Sequence, residues 1–148
     1  MRLYNSVPVY PQTGQKMNVT EYKTPTLSLQ VHENHIVAMA NNFVRVTENE
    51  LNFLAVVANK HFTGPFGMVE VRDKNVLMDP QLHARVKQAL PNFSAYALVT
   101  NNSNAIENMK REESFMAYEN FRLCSTISEA TDWVNLVLTG SYTNKKIA

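Results

Sequence analysis

Asn101-Asn102-Ser103 is the tripeptide whose chemistry the rest of the sequence has to place. It follows a strongly apolar run, Ser94 to Thr100 (SAYALVT), and precedes a helical pattern. Amide and hydroxyl side chains beside the free backbone amides of a helix start suit an anion or another polar ligand. The same residues also serve as plain helix caps, and that use competes with the ligand reading. No Gly-rich phosphate loop accompanies them, because Gly14, Gly64, Gly67 and Gly140 are scattered. Arg72 and Asp73 close another apolar run and join the three as candidate ligand-binding residues. The link is topological: in open α/β sheets, ligands gather at the carboxyl ends of strands.

Other residue sets offer less. Glu70, Asp73 and Asp79, with Arg72 and Lys74 among them, would do acid–base work if they converged, but spacing alone does not bring carboxylates together. Solvated loop charges are the default. His32 and His35 flank a turn and begin a metal site, yet no third ligand lies nearby in sequence, so exposed turn histidines are expected. His61 and His83 read as surface residues. Cys124 is the single cysteine, which excludes an internal disulfide and a cysteine zinc site. It reads as a small core hydrophobe, with no cation identified to lower its pKa. Met39, Met68, Met78, Met109 and Met116 suit an irregular apolar ligand such as a lipid, although core filling is the commoner use. No nucleophile–base pair assembles. The chain therefore reads as non-enzymatic, with no catalytic residue, metal ligand or cofactor assigned.

The elements that must hold these residues follow from periodicity. Residues 1–25, with Pro8, Pro11, Pro25 and Gly14 amid polar side chains, read as an N-terminal arm, either loose or laid across the sheet as an extra strand. From Thr26, Leu27, Leu29 and Val31 alternate with polar residues, and His35 to Ala40 follows a short turn, which predicts an antiparallel hairpin. Thr47-Glu48-Asn49-Glu50 has the form of a capping box ahead of Leu51, Leu54, Ala55, Ala58 and Phe62 at helical spacing. Phe66 to Arg72 is a third strand. Asp79-Pro80 then predicts a second helix, with a carboxylate cap and Pro in the first turn. Ser94 to Thr100, apolar on both faces, fits a central parallel strand. Ser103 caps a third helix with Ile106, Met109, Glu113 and Met116 along one side. Phe121 to Ser125 is a short edge strand, and Thr126-Ile127-Ser128-Glu129 repeats the capping box before a last amphipathic helix. The predicted order is ββαβαβαβα on a mixed, mainly parallel five-stranded sheet over residues 26–140, with 141–148 as a tail.

Composition bounds the function. At 148 residues, 45% hydrophobic and 18% charged, the chain reads as one soluble α/β domain. A formal net charge of +1, with dispersed Lys and Arg, argues against a nucleic-acid footprint. No apolar run approaches a membrane span and the start lacks a signal peptide, so a cytoplasmic protein is expected.

The hairpin followed by helix–strand units, ending in NFRLCSTISEATDWV, resembles the STAS-like fold of bacterial anti-sigma-factor antagonists. It is similar to uncharacterised bacterial proteins with an "ALVT" strand before an Asn- or Ser-capped helix, matched by Ala97 to Thr100 and Asn102-Ser103, and with a last helix matched by Ile127 to Val134. The resemblance spans roughly residues 26–138. It implies a right-handed (βα) superhelix and a regulatory module acting through protein contacts, with a small polar or lipid ligand as the alternative role. In those antagonists a phosphorylatable Ser or Thr sits between the third strand and the second helix. Here that stretch, Arg72 to Pro80, has no hydroxyl residue, so the phosphoswitch is not carried over. Sequential right-handed crossovers put the helices mainly on one sheet face. The opposite face would then be covered by the N-terminal arm or by a second subunit, which predicts a homodimer or a packed arm.

Overall fold

The computed structural model describes residues 5–9, 19–41, 45–72 and 76–141. The hairpin is β3 (Leu27–Val31) and β4 (His35–Ala40), antiparallel, with Leu29 opposite Ala38. Beyond β3 the sheet continues through β2 (Val19–Lys23) and β1 (Asn5–Val9), also antiparallel, while on the other side β4 is followed by parallel β6 (Phe66–Val71), β8 (Phe93–Val99) and β9 (Phe121–Cys124). The order is β1-β2-β3-β4-β6-β8-β9, so among the described residues the sheet has seven strands rather than five. The extra two come from the N-terminal stretch, which extends the sheet at its edge instead of lying across a face. Val19 and Tyr22 are buried at that edge.

Two short strands were not foreseen. β5 (Arg45–Val46) and β7 (Leu77–Met78) pair in parallel, apart from the main sheet. Two residues carry too little alternation to register as a strand in a sequence. With this pair, four pairings among the described residues are parallel (β4–β6, β6–β8, β8–β9, β5–β7) and three antiparallel.

Helix α1 (Glu48–His61) starts as its sequence requires: Thr47 accepts from the Asn49 amide and Glu50 accepts from the Thr47 amide at 2.7 Å. Glu50 also accepts from the Thr26 hydroxyl at 3.0 Å, which fastens the cap to the start of β3. Helix α2 (Leu82–Ala89) starts later than expected. Asp79-Pro80-Gln81 forms a turn in which Asp79 accepts from the Gln81 amide at 3.3 Å, and the N-cap is Gln81, without a side-chain cap bond. Helix α3 (Ser103–Glu112) is capped by Asn102, not Ser103: Asn102 Oδ1 accepts from the amides of Asn104 and Ala105. Its buried side is Ala105, Met109 and Glu112, so the inward carboxylate is Glu112 and not Glu113. Helix α4 (Ile127–Leu138) is capped by Thr126, which accepts from the Glu129 amide at 3.0 Å.

Strand parity divides the core. One face carries Leu29, Ile36, Met68 and Tyr96 against Leu51, Leu54 and Val57 of α1 and Leu82 and Val86 of α2. The other carries Val37, Val69, Ala95, Ala97, Val99 and Cys124 against Ala130, Trp133 and Val134 of α4. The expectation that this second face needs an arm or a second subunit is therefore corrected. α4 turns back after β9 and covers β6, β8 and β9 itself. Toward β3 the same face is polar, with Ser28 and Gln30 opposite Met39 and Val37, and water suffices there. Gly67 permits the close approach of α4, since a Cβ at that position would lie 2.5 Å from Val134 Cγ1.

Candidate functional site

Strands β4, β6 and β8 end together, and the chain leaves each one differently. At that end Met39, Val71 and Val99 supply an apolar wall on the α4 side of the sheet, and Ala40, Asn41, Thr100, Asn101 and Asn102 supply the rim. They enclose an open cleft of about 620 Å³, within the roughly 300–1,000 Å³ usual for ligand sites. Three predicted site residues meet here: Arg72, Asn101 and Asn102 all border the cleft. Asn101 Nδ2 donates to the Ser125 carbonyl at 3.2 Å, Asn102 is engaged as the α3 cap, and Ser103 is an exposed first helical residue outside the lining. Asp73 lies outside the described residues, as does Lys74.

Arg72 does not present its guanidinium to the cleft. Its side chain is fully buried on the opposite side of the sheet, where Nε donates to Glu70 Oε2 at 2.8 Å and Nη1 to Glu112 Oε2 at 2.5 Å. Glu112 Oε1 lies 2.7 Å from His83 Nε2, and His83 Nδ1 lies 2.6 Å from the Tyr118 hydroxyl. A carboxylate only accepts, so in the neutral ring Nε2 carries the proton toward Glu112 and Nδ1 accepts from Tyr118. The Tyr96 hydroxyl donates to Glu70. Burial works to raise the Glu70 carboxyl, but the adjacent Arg72 guanidinium overrides it and holds the group below its usual range. Burial acts on Arg72 in the opposite sense and its carboxylates again prevail, so its pKa is raised and it stays charged. Burial, followed by the Glu70 charge, pushes both Tyr96 and Tyr118 well up, which keeps both phenols protonated. Neither is a poised phenolate.

This cluster corrects two expectations. His83 is buried, not a surface residue. Glu70 is an ion-pair partner rather than a solvated loop charge, and it does not converge with Asp79, which sits in the turn before α2. Glu112, Tyr96 and Tyr118 were not singled out at all. Strand parity held a clue, because it puts Met68, Glu70 and Arg72 on one side of β6 and so carries a charged pair toward the helices.

Beside the cluster lies a cavity of about 60 Å³, walled by Leu29, Leu51, Met68 and Met78 among others and touched by Glu70, Tyr96 and Tyr118. It is far below the volume of a lipid site. The methionines do not gather round it: Met68 and Met78 line it, Met109 is buried in α3, Met116 packs at the core margin, and Met39 stands 45% exposed on the other face at the cleft. The Met-lined lipid cavity is not formed.

His32 and His35 are not exposed turn residues: His35 is buried and His32 half-buried. Their rings stack at 4.6 Å, 2° from parallel, which does not aim their lone pairs at one ion. Among the described residues no group of three or more His, Cys, Asp or Glu is placed to hold a metal. Burial, with His32 adding to it, pushes His35 down to about 4. Asn34 Oδ1 meets His35 Nδ1 at 2.8 Å, and Asn34 Nδ2 donates to Asn135 of α4 at 2.7 Å. Cys124 sits in the α4-side core, its thiol pushed up by burial and by Glu129 against a smaller opposing effect of Arg122. That is an inert thiol. His61 is exposed, with Nε2 2.6 Å from the Tyr22 hydroxyl.

Among the described residues no helix is long and apolar enough to cross a membrane. No family model, no curated protein and no solved structure matches the chain.

Proposed function

We propose that the chain is a small-ligand-binding module whose site is the cleft at the carboxyl ends of β4, β6 and β8. The observation that carries this reading is the coincidence, in one cleft of about 620 Å³, of an apolar wall (Met39, Val71, Val99) with amide and hydroxyl groups (Asn41, Thr100, Asn101) at the carboxyl ends of adjacent parallel strands. Such a wall and rim suit a small molecule with one apolar side and several hydrogen-bonding groups. Binding is favoured over catalysis because the ionisable side chains that do converge, Arg72, Glu70, Glu112 and His83, are spent on one another on the far side of the sheet.

The test is native mass spectrometry of the full chain purified from its source, followed by Met39→Trp and Asn101→Ala variants. The expected result is a retained small molecule that is lost from Met39→Trp, where an indole fills the cleft, while the melting temperature of the emptied protein is unchanged. A protein that carries nothing and is not stabilised by any member of a metabolite panel would overturn the reading.

A second reading, the STAS-like interaction module, draws support from the consecutive order of β4, β6, β8 and β9 after a hairpin. Its regulation would not use a phosphorylated loop hydroxyl, since Arg72 to Pro80 has none. The homodimer loses its original motive once α4 covers the second face, and size-exclusion mass of the full chain decides it.

A further inference from the structure

The β5–β7 pair borders a second groove, separate from the cleft. Register places Arg45 beside Leu77 and Val46 beside Met78. Val46 and Met78 pack inward against the core, so alternation turns Arg45 and Leu77 outward, where Leu77 is 50% exposed. Facing them, α3 contributes Asn108 and Arg111, three residues apart and therefore on one side of the helix. With Pro80 these residues bound a groove of about 180 Å³. We propose that this groove binds a small organic carboxylate, gripped by Arg45 and Arg111 over the apolar floor of Leu77, Met78 and Pro80.

Charge supports the assignment. Among the described residues neither arginine is in an ion pair, whereas the neighbouring cations are: Lys110 pairs with Glu107 and Arg85 with Glu48. Arg111 donates to Asn108, which holds its guanidinium along the groove. Glu112 also borders the groove, but both of its oxygens are engaged by Arg72 and His83. Two guanidiniums in the open present the planar fork that fits a carboxylate. A phosphate would fit the fork too, but its charge of about −1.5 to −2 would face the Glu112 carboxylate below. The exposed Leu77 and the Pro80 ring ask for a hydrocarbon portion rather than a bare ion. The groove lies below the roughly 300 Å³ of drug-sized sites, so the ligand is short.

The experiment is a ¹H–¹⁵N NMR titration of the full chain at constant ionic strength with butyrate, butanol and inorganic phosphate in parallel. The expected result is saturable shifts at the amides of Arg45, Leu77, Asn108 and Arg111 with butyrate, weaker shifts with phosphate, and none with butanol. The Arg45→Gln/Arg111→Gln double variant, altered only at exposed positions, keeps its melting temperature and binds butyrate about ten-fold or more weaker. Phosphate binding as tight as butyrate would overturn the carboxylate assignment. No saturable shift, or a double variant that binds like the wild type, would overturn the site. Shifts confined to Asn101 and Asn102 would also overturn it while supporting the cleft, so the two readings fail separately.

Discussion

Nη1 of Arg72 lies 2.5 Å from Oε2 of Glu112, and neither side chain is more than 2% exposed. Charges so buried are tolerated only as a mutually satisfied set, and here Glu70 and His83 complete it. The set ties the end of β6 to α2 and α3, so it fixes where those helices sit relative to the strand ends. Because it holds two carboxylates and one guanidinium, losing the cation is the worse injury. Arg72→Met should cost more than Glu112→Leu, each about 3–5 kcal/mol in urea denaturation. The Arg72→Met/Glu112→Leu double variant should be less destabilised than the sum of the two. Additive losses would mean the pair is not coupled.

The stacked histidines predict acid sensitivity. His35 has an ordinary value of 6.5 and is held at about 4 in the fold, so between those values the unfolded chain binds the proton that the native ring refuses. Stability is then fully present above about pH 6.5 and lost as pH falls toward 4. The loss from His35 is at most roughly 3 kcal/mol, and less after solvent screening of the partly open pair. His32 is lowered by burial in the same sense. Urea midpoints measured across that range should fall for the wild type, and the His35→Leu variant should show a flatter profile. Equal slopes for the two proteins would remove His35 as the cause.

How much of this was legible in the sequence depended on the range of the signal. Alternation from Leu27 to Val31, the capping box at Thr47 and the Thr126 cap are local, and they produced strands and helices where expected, although Glu129 accepts from the Ser125 amide rather than closing a box on Thr126. The position of α4 is not local. Crossover handedness places a helix between two parallel strands, but α4 follows the last strand and is free to take either face. Glu112 was hidden by a one-residue error of phase. Placing the apolar side of α3 on Ile106 and Met109 set Glu113 on the inner stripe, whereas Ala105, Met109 and Glu112 are the buried residues. His83 went unread because its partners, Glu112 and Tyr118, are 29 and 35 residues away. The strand end and helix start that flank Asn101-Asn102 were legible because the same alternation that fixes the fold sets them.

The cap of α3 separates two neighbouring residues that the sequence treats alike. Asn102 Oδ1 accepts from two amides, at 2.9 and 3.1 Å, while Ser103 is exposed as the first helical residue. Asn102→Ala should cost about 1 kcal/mol and Ser103→Ala close to nothing in thermal or urea unfolding. The reverse ranking would move the cap back to Ser103.

Gly67 is where the sheet and α4 come closest. Its missing Cβ would lie 2.5 Å from Val134 Cγ1 and 3.3 Å from the Ala95 carbonyl oxygen. Val134 is β-branched and fully buried, so it has no free rotamer in which to retreat. Gly67→Ala should therefore destabilise by about 1–3 kcal/mol through overpacking, although alanine is otherwise the better strand residue. Val134→Ala removes the opposing methyl groups at its own cavity cost. Combined, the two changes should be less harmful than their sum, because each relieves the other at one contact. Urea denaturation of the four proteins in that cycle gives the coupling directly. A Gly67→Ala variant as stable as the wild type would mean that α4 stands off from β6.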